Sequence, residues 1–363
     1  MSRRVHVRVP ASSTNLGAGF DCIGVAVDRW LGVSVTIDPA DASRGVPVEK
    51  WIESARASAP AACTAVVERA GSLEGLAVAP ADDRIVVGFR AACEDAGREP
   101  PPGLRIHADS TIPVARGLGS SAAAAVAGVV AANALLDLRL SDHDIVRVAA
   151  RVEGHPDNAA AAVLGGATLA ASAGGRLDAV PLWMHDSLAL VLAVPDFTLE
   201  TAEARRRLPA SVSHQVASRA AALSGALVYG LATADATLLA AALEEDVLHV
   251  PYRRALITAF DDVVGAARGA GALGTTLSGS GSTLVAIAHR ADAPAVAEAM
   301  RGAWAAAGVA AEAFVNPPRV GGYEVVVSQP REDAGMEAGP PSRTGWMSRR
   351  SARKELPRPS THS

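Results

Sequence analysis

The sequence predicts an α+β fold in two subdomains, and three observations carry that expectation. The second half alternates apolar strands with helices: a continuous apolar run at Leu188–Pro195, several helical stretches, then two apolar strands around a glycine turn. The first half centres on Ile112–Leu136, where a glycine turn runs directly into a long Ala/Val helix. In addition, 363 residues with 49% hydrophobic and 20% charged side chains can bury more core than one domain usually holds. The expected division is residues 1–168, residues 169–327 and a disordered tail at 328–363.

Taken in order, Val5–Val9 alternates apolar and basic residues as a strand does. Pro10–Asp21 (P-A-S-S-T-N-L-G-A-G-F-D) follows as a polar loop ending in an acid. Ile23–Val27 and Gly32–Ile37 read as a hairpin turning over Asp28–Leu31. Between Pro39 and Pro80 the pattern is weak, with a helix expected around Cys63–Ala70. Ile85–Ala96 is helical and Leu104–Ala108 is a strand feeding the glycine turn; helices follow at Ser121–Leu136 and Asp142–Glu153. Beyond Leu188–Pro195, helices are expected at Thr201–Leu208, Gln215–Ala232 and Ala234–Glu245, and Val250–Arg254 opens another. Gly271–Ile287 holds a glycine turn between strands, Ala293–Ala307 is an amphipathic helix and Ala311–Val315 a last strand. From about Ser328 apolar residues nearly vanish, which is the composition of a disordered segment.

Composition narrows the function classes. A net charge of −4 leaves no footprint for nucleic acid or an anionic membrane. The longest apolar run, Ala122–Leu136, is broken by Gly128 and Asn133 and falls short of the roughly 20 residues a membrane span needs. The basic N-terminus has no apolar segment behind it, so no secretory signal is expected. Cys22, Cys63 and Cys93 are odd in number and lack CxxC spacing, which predicts buried, reduced thiols in a cytoplasmic protein. Heavy use of Ala and Gly with only 4% aromatics predicts helices packed closely, near backbone distance.

Within the glycine turn, Gly117 and Gly119 permit backbone angles that other residues resist and put no side chain in a ligand's way. Ser120 and Ser121 stand where an N-cap belongs, so the first helical amides point outward as an anion site. A P-loop is excluded because no Gly-Lys pair occurs. The dinucleotide fingerprint fits Gly117, Gly119 and Ala122, but its acid, Asp137, follows an unbroken helix instead of a second strand. Downstream, Glu153, His155, Asp157 and Asn158 crowd four polar groups into six residues. Caps alone do not require so many, and such a cluster handles a cation or a reacting group.

The stretch P-x-x-x-G-L-G-S-S-A-A resembles the phosphate-binding loop of the GHMP small-molecule kinases. Pro10–Asp21 resembles the first motif of that family, Ile112–Ala123 its second and Leu277–Ile287 its third. The intermediate E-G-H-P-D-N-x-A-x-x-x-L-G-G resembles the branch that acts on homoserine. The resemblance implies a GHMP kinase fold, its first part related to ribosomal protein S5 domain 2 and its second ferredoxin-like. ATP then lies in the cleft between the two. It also implies a cytoplasmic ATP:alcohol phosphotransferase of threonine biosynthesis that converts L-homoserine to O-phospho-L-homoserine. ATP and Mg²⁺ are the implied cofactors; no nucleic acid or membrane partner is implied, and a homodimer is admitted.

Residue by residue, the resemblance assigns the phosphates to Pro113, Val114, Ala115, Arg116, Gly117, Leu118, Gly119, Ser120, Ser121, Ala122 and Ala123. Ser121 and Glu153 become the Mg²⁺ ligands, a set suited to a hard cation that keeps several waters. Asn15, Asp21 and His155 match the amino and hydroxyl end of the substrate, with Asp157 beside them. Thr201 and Arg205, four apart on one helical face, match the carboxylate site together with Arg253, and Gly279 closes from the third motif. Asp157 joins Ser121 and Glu153 as catalytic, with two roles left open: general base or ligand of the ammonium. Ser280 and Ser282 depart from the usual Ala and Pro, which puts the rigidity of that loop in question. Adenine contacts are expected near Asp83–Val87. Two alternatives remain, a relative acting on another small alcohol and a non-catalytic protein of the same fold; retention of Ser121, Glu153 and Asp157 speaks against the second.

Overall fold

Alternating valines build the first strand, β1 (Arg4–Asn15), with Val5, Val7 and Val9 fully buried. The computed structural model describes residues 4–37 and 65–328. β1 does not end at Val9: Ser12, Ser13, Thr14 and Asn15, expected in a loop, are buried strand residues. β2 (Gly19–Ile37) is likewise a single strand of 19 residues and not a hairpin. Pro10 pairs with Trp30 while Ala11 pairs with Val27, so Asp28 and Arg29 bulge out without reversing the chain. The side chain of Asn316 secures that bulge, accepting from the Asp28 amide at 3.0 Å and donating to the Ala26 carbonyl at 3.0 Å.

β3 (Ala65–Gly71) lies parallel to β4 (Leu104–Ser110), joined by the crossover helix α1 (Arg84–Asp95). The helix expected around Cys63–Ala70 is therefore a strand from Ala65 on, where Val66 and Val67 suit a pleated surface; Cys63 is outside the described residues. α2 (Ser120–Leu136) packs on α1 at backbone distance. A Cβ on Gly88 would meet the Ala125 carbonyl at 2.2 Å, and one on Gly128 the Ile85 carbonyl at 2.0 Å. α3 (Asp142–Glu153) starts on a capping box between Ser141 and Asp144, and α4 (Asp157–Leu164) follows after one turn.

β5 (Ala167–Ala173) pairs with β2, and β6 (Arg176–Leu182) with β5. The second sheet comprises β7 (Leu188–Pro195), β8 (Ala272–Leu277), β9 (Leu284–His289) and β10 (Ala311–Val315). Its order, β10-β7-β9-β8 with every pair antiparallel, is the ferredoxin-like arrangement. α5 (Thr201–Arg206), α6 (His214–Thr233), α7 (Ala236–Glu244), α8 (Val250–Arg253) and α9 (Phe260–Gly269) separate β7 from β8, and α10 (Ala293–Ala306) separates β9 from β10. α6 is long and apolar enough to cross a membrane by length and composition, yet Ala220, Leu223, Leu227 and Leu231 form a buried stripe along it.

The last strand, β11 (Glu324–Ser328), returns to the first sheet and pairs with β1, Arg4 opposite Ser328. Segment 169–327 thus supplies strands to both sheets, and the second sheet spans Leu188–Val315. The tail expected at 328–363 is, apart from Ser328, outside the described residues. Cys93 is buried and Cys22 partly buried, and neither forms a disulfide.

Candidate active site

The turn at the amino end of α2 meets β1, α4 and the loop between β8 and β9. The N-cap is Gly119 in the left-handed region (φ 66°), and no side chain caps the helix; Ser120 and Ser121, expected as caps, are its first two residues. The two glycines are required by neighbouring protein. A Cβ on Gly117 would meet the Ser278 carbonyl at 2.2 Å, and one on Gly119 would meet Ser12 Oγ at 2.2 Å and Asn158 Oδ1 at 2.7 Å. Helix amides thus face outward from a turn wedged between the first motif and the third. Ser278 donates to the Gly117 carbonyl at 2.7 Å and lies 2.8 Å from Ser13 Oγ. The departures at Ser280 and Ser282 are both engaged: Ser280 Oγ lies 3.3 Å from Thr201 Oγ1, and Ser282 donates to the Phe197 carbonyl at 2.6 Å.

Ser121 turns its hydroxyl to Glu153, Oγ to Oε1 at 2.9 Å. The Glu153 side chain is only 6% exposed, and Arg84 Nε stands 3.6 Å from the same oxygen. Beside the turn, a cavity of about 370 Å³ opens between Pro113 and Arg116 on one wall and Val194–Asp196 and Ala310–Glu312 on the other. No residue expected to bind the amino-acid substrate lines it. In the segment 83–87, expected near the adenine, Asp83 caps α1 and pairs with Arg69 at 2.5 Å, and Ile85 and Val86 are buried in the core.

Opposite charges assemble on the other side of the turn. Arg205 grips Asp21 with both nitrogens, at 2.8 and 3.1 Å, and Arg206 and Arg207 face solvent. That pair raises the Arg205 pKa, through the hydrogen bond to Asp21 against the opposing effect of burial. Asn15 accepts from the Asp21 amide at 2.9 Å and donates to the Gly279 carbonyl at 2.7 Å. Arg253 is 1% exposed; Nε donates to the Ala204 carbonyl at 3.3 Å, and Nη1 contacts the Gly279 carbonyl at 3.5 Å, leaving Nη2 outside these bonds. Burial, followed by the neighbouring charge of Arg205, lowers the Arg253 pKa to about 10.

At the start of α4, Asp157 is buried and its Oδ1 is crowded: His155 Nδ1 at 2.8 Å, the Asn158 amide at 2.8 Å and Asn158 Nδ2 at 3.2 Å. Oδ2 takes no part in those contacts. Burial opposes a charge on His155, but the hydrogen bond and charge of Asp157 prevail and its pKa is raised. Asn158 also accepts from Ser12 at 2.8 Å, which ties this corner to the first motif.

Hydrogen bonds therefore link Asn15 to Asp21 and Gly279, Asp21 to Arg205, Arg253 to Gly279 and His155 to Asp157, with Thr201 beside Ser280, and Ser121 with Glu153 at the helix end. Ser12, Ser13, Phe20, Cys22 and His249 belong to the same region and were not singled out from the sequence. For Ser12, Ser13, Phe20 and Cys22 the signal is P-A-S-S-T-N-L-G-A-G-F-D-C, a run too polar to be filler; His249 has none. Cys22 stays a protonated thiol, raised to about 11 by burial and then by the charges of Asp157 and Asp21.

Residues 84–166 match the GHMP kinases N terminal domain, and residues 221–306 match the GHMP kinases C terminal domain. A homoserine kinase of Trichormus variabilis is 39% identical over 85% of this chain and 94% of its own. One from Gloeobacter violaceus is 41% identical over 82% and 92%. A crystal structure of homoserine kinase from Cytophaga hutchinsonii superposes with a TM-score of 0.74 at 28% identity, covering 89% of this chain and 97% of its own. The chain belongs to the homoserine kinase branch of the GHMP kinase family.

Proposed function

We propose that this protein transfers the γ-phosphoryl group of ATP to the side-chain hydroxyl of L-homoserine, as an enzyme of the cytoplasm. The observation that carries the reading is the Asp21–Arg205 pair: a carboxylate and a guanidinium side by side match the ammonium and carboxylate of a zwitterion. Asp21 takes the ammonium, while Arg205 and Nη2 of Arg253 take the carboxylate. Asp157, its Oδ1 locked by His155 and Asn158, presents Oδ2 to the hydroxyl and orients it for in-line attack.

On the phosphate side, the amides of Gly119–Ala122 supply fixed donors toward charge on the transferring group. The oxygens of Ser121 and Glu153, 2.9 Å apart at the open helix end, are the hard donors that Mg²⁺ prefers, so this pair would hold the ion. When bound there, Mg²⁺ supplies charge neutralisation of the phosphates. The test is ADP release measured in parallel with homoserine, mevalonate, galactose and shikimate. Turnover confined to homoserine is the expected result; preference for another of the four would overturn the substrate assignment.

A further inference from the structure

His249 is completely buried, belongs to no family motif quoted above, and has both ring nitrogens in use. Nε2 lies 3.1 Å from the Gly17 carbonyl, which can only accept, so Nε2 carries the hydrogen. Nδ1 lies 3.3 Å from Nη1 of Arg253, which can only donate, so Nδ1 presents its lone pair. Only the neutral ring with its proton on Nε2 satisfies both neighbours. Asp246 fixes the backbone beneath the ring by accepting the amides of His249 and Val250, each at 2.8 Å. Phe20 stacks on the ring with centroids 5.1 Å apart, and the Arg253 guanidinium sits 5.4 Å from the Phe20 ring.

These contacts join pieces that are distant in sequence. Gly17 lies between Asn15 and Asp21, and a Cβ there would meet the Ala242 carbonyl at 2.4 Å, so its loop is seated firmly on α7. Arg253 in turn holds Ala204, the neighbour of Arg205, and Gly279, the partner of Asn15. We propose that His249 is a positioning residue for the amino-acid pocket: its ring fixes Arg253 against the Gly17 loop, and so sets the spacing between Asp21 and the two arginines. Burial lowers its pKa to about 4, with the charge of Asp246 opposing and that of Arg253 assisting, so the ring keeps its lone pair throughout the neutral range. A protonated ring would face Arg253 as a second cation.

The inference rests on the homoserine reading for its kinetic arm and is independent of it for its spectroscopic arm. H249Q keeps one donor and one acceptor, whereas H249F keeps the stack on Phe20 and removes both polar contacts. The KM for homoserine should rise about 10-fold or more in H249F, with kcat and the KM for ATP within about 3-fold of the unaltered enzyme, and H249Q should recover most of the loss. An unchanged homoserine KM in H249F, or an equal rise in the KM for ATP, would overturn the proposal. Should H249F not fold, nitrogen-15 spectra of the histidines decide, with the His249 signals assigned by their loss in H249Q. The Nε2-protonated neutral form is expected from pH 5 to 8, and the Nδ1-protonated form or an imidazolium would refute it. Failure of the unaltered enzyme to use homoserine would sink the functional reading instead, while the spectra would still decide the state of His249.

Discussion

Around Gly117–Ser121 the site is made of backbone, whereas around Asp21 and Arg205 it is made of charged side chains. On the backbone side every space a Cβ would need is already filled by Ser278, Ser12 or Asn158, so the turn has one shape and cannot be adjusted. On the side-chain side the groups expected to grip the substrate grip each other, with Asp21 and Arg205 about one-third exposed. Under the proposed function a zwitterion replaces that pair charge for charge, so neither charge would be left unpaired with or without it. A site that must hold phosphate in one geometry is served by fixed dipoles; one that must release its ligand is served by exchangeable partners.

The contrast is broken most directly at the helix end. Glu153→Ala and Ser121→Ala should each lower kcat by about 100-fold or more, because several kcal/mol of charge stabilisation is at stake, with little change in melting temperature. Near-normal turnover of the Glu153 variant at ordinary Mg²⁺ would remove the metal assignment. Next in size is Gly119→Ala, which adds left-handed strain of about 1–2 kcal/mol to an overpacking cost of about 1–3 kcal/mol. Denaturant unfolding should report that loss, and the KM for ATP should rise more than that for homoserine. Equal stability with normal ATP affinity would mean that the turn is adjustable after all.

On the other side, Arg205→Ala should lower kcat/KM for homoserine by about 10- to 100-fold, the worth of charge-assisted hydrogen bonds of roughly 1.5–3 kcal/mol. The KM for ATP should stay put, and homoserine amide, already a poor substrate, should lose little more. Intact homoserine turnover would displace the carboxylate clamp.

The smallest effect concerns His155 and Asp157. The folded-state pKa of His155 is raised above 6.5, so its contribution to stability is fully present below pH 6.5 and fades as pH rises through the raised value. Proton NMR titration should show that pKa falling in Asp157→Asn, and no movement would mean the two side chains are not coupled.

Legibility in the sequence followed physical signal strength. Gly117, Gly119 and a long Ala/Val helix mark the turn proposed to hold phosphate, and the crowded polar groups at 153–158 mark its neighbour. Ser12–Asn15 read as a loop because their side chains are polar, but their hydroxyls and amide are buried against Asn158, Gly279 and Ser278, which only the tertiary structure supplies. Asp28–Leu31 looked like a turn because nothing local announces that Asn316, nearly 300 residues on, stabilises a bulge there. β3 read as a helix because its parallel partner β4 lies beyond an entire crossover. His249 was invisible for the same reason, since both its partners, Gly17 and Arg253, acquire meaning only once α8 packs on the first motif.

The return of β11 to β1 has a consequence for biosynthesis. The ferredoxin-like unit interrupts the first sheet's own sequence, so the edge of β1 stays bare until residue 328 has left the ribosome. Contacts spanning more than 300 residues close last and at a high entropic cost, so the first-made half should be a late finisher. During elongation its exposed valine strand is a surface on which chaperones can act, and one that invites mispairing between nascent chains on a shared message.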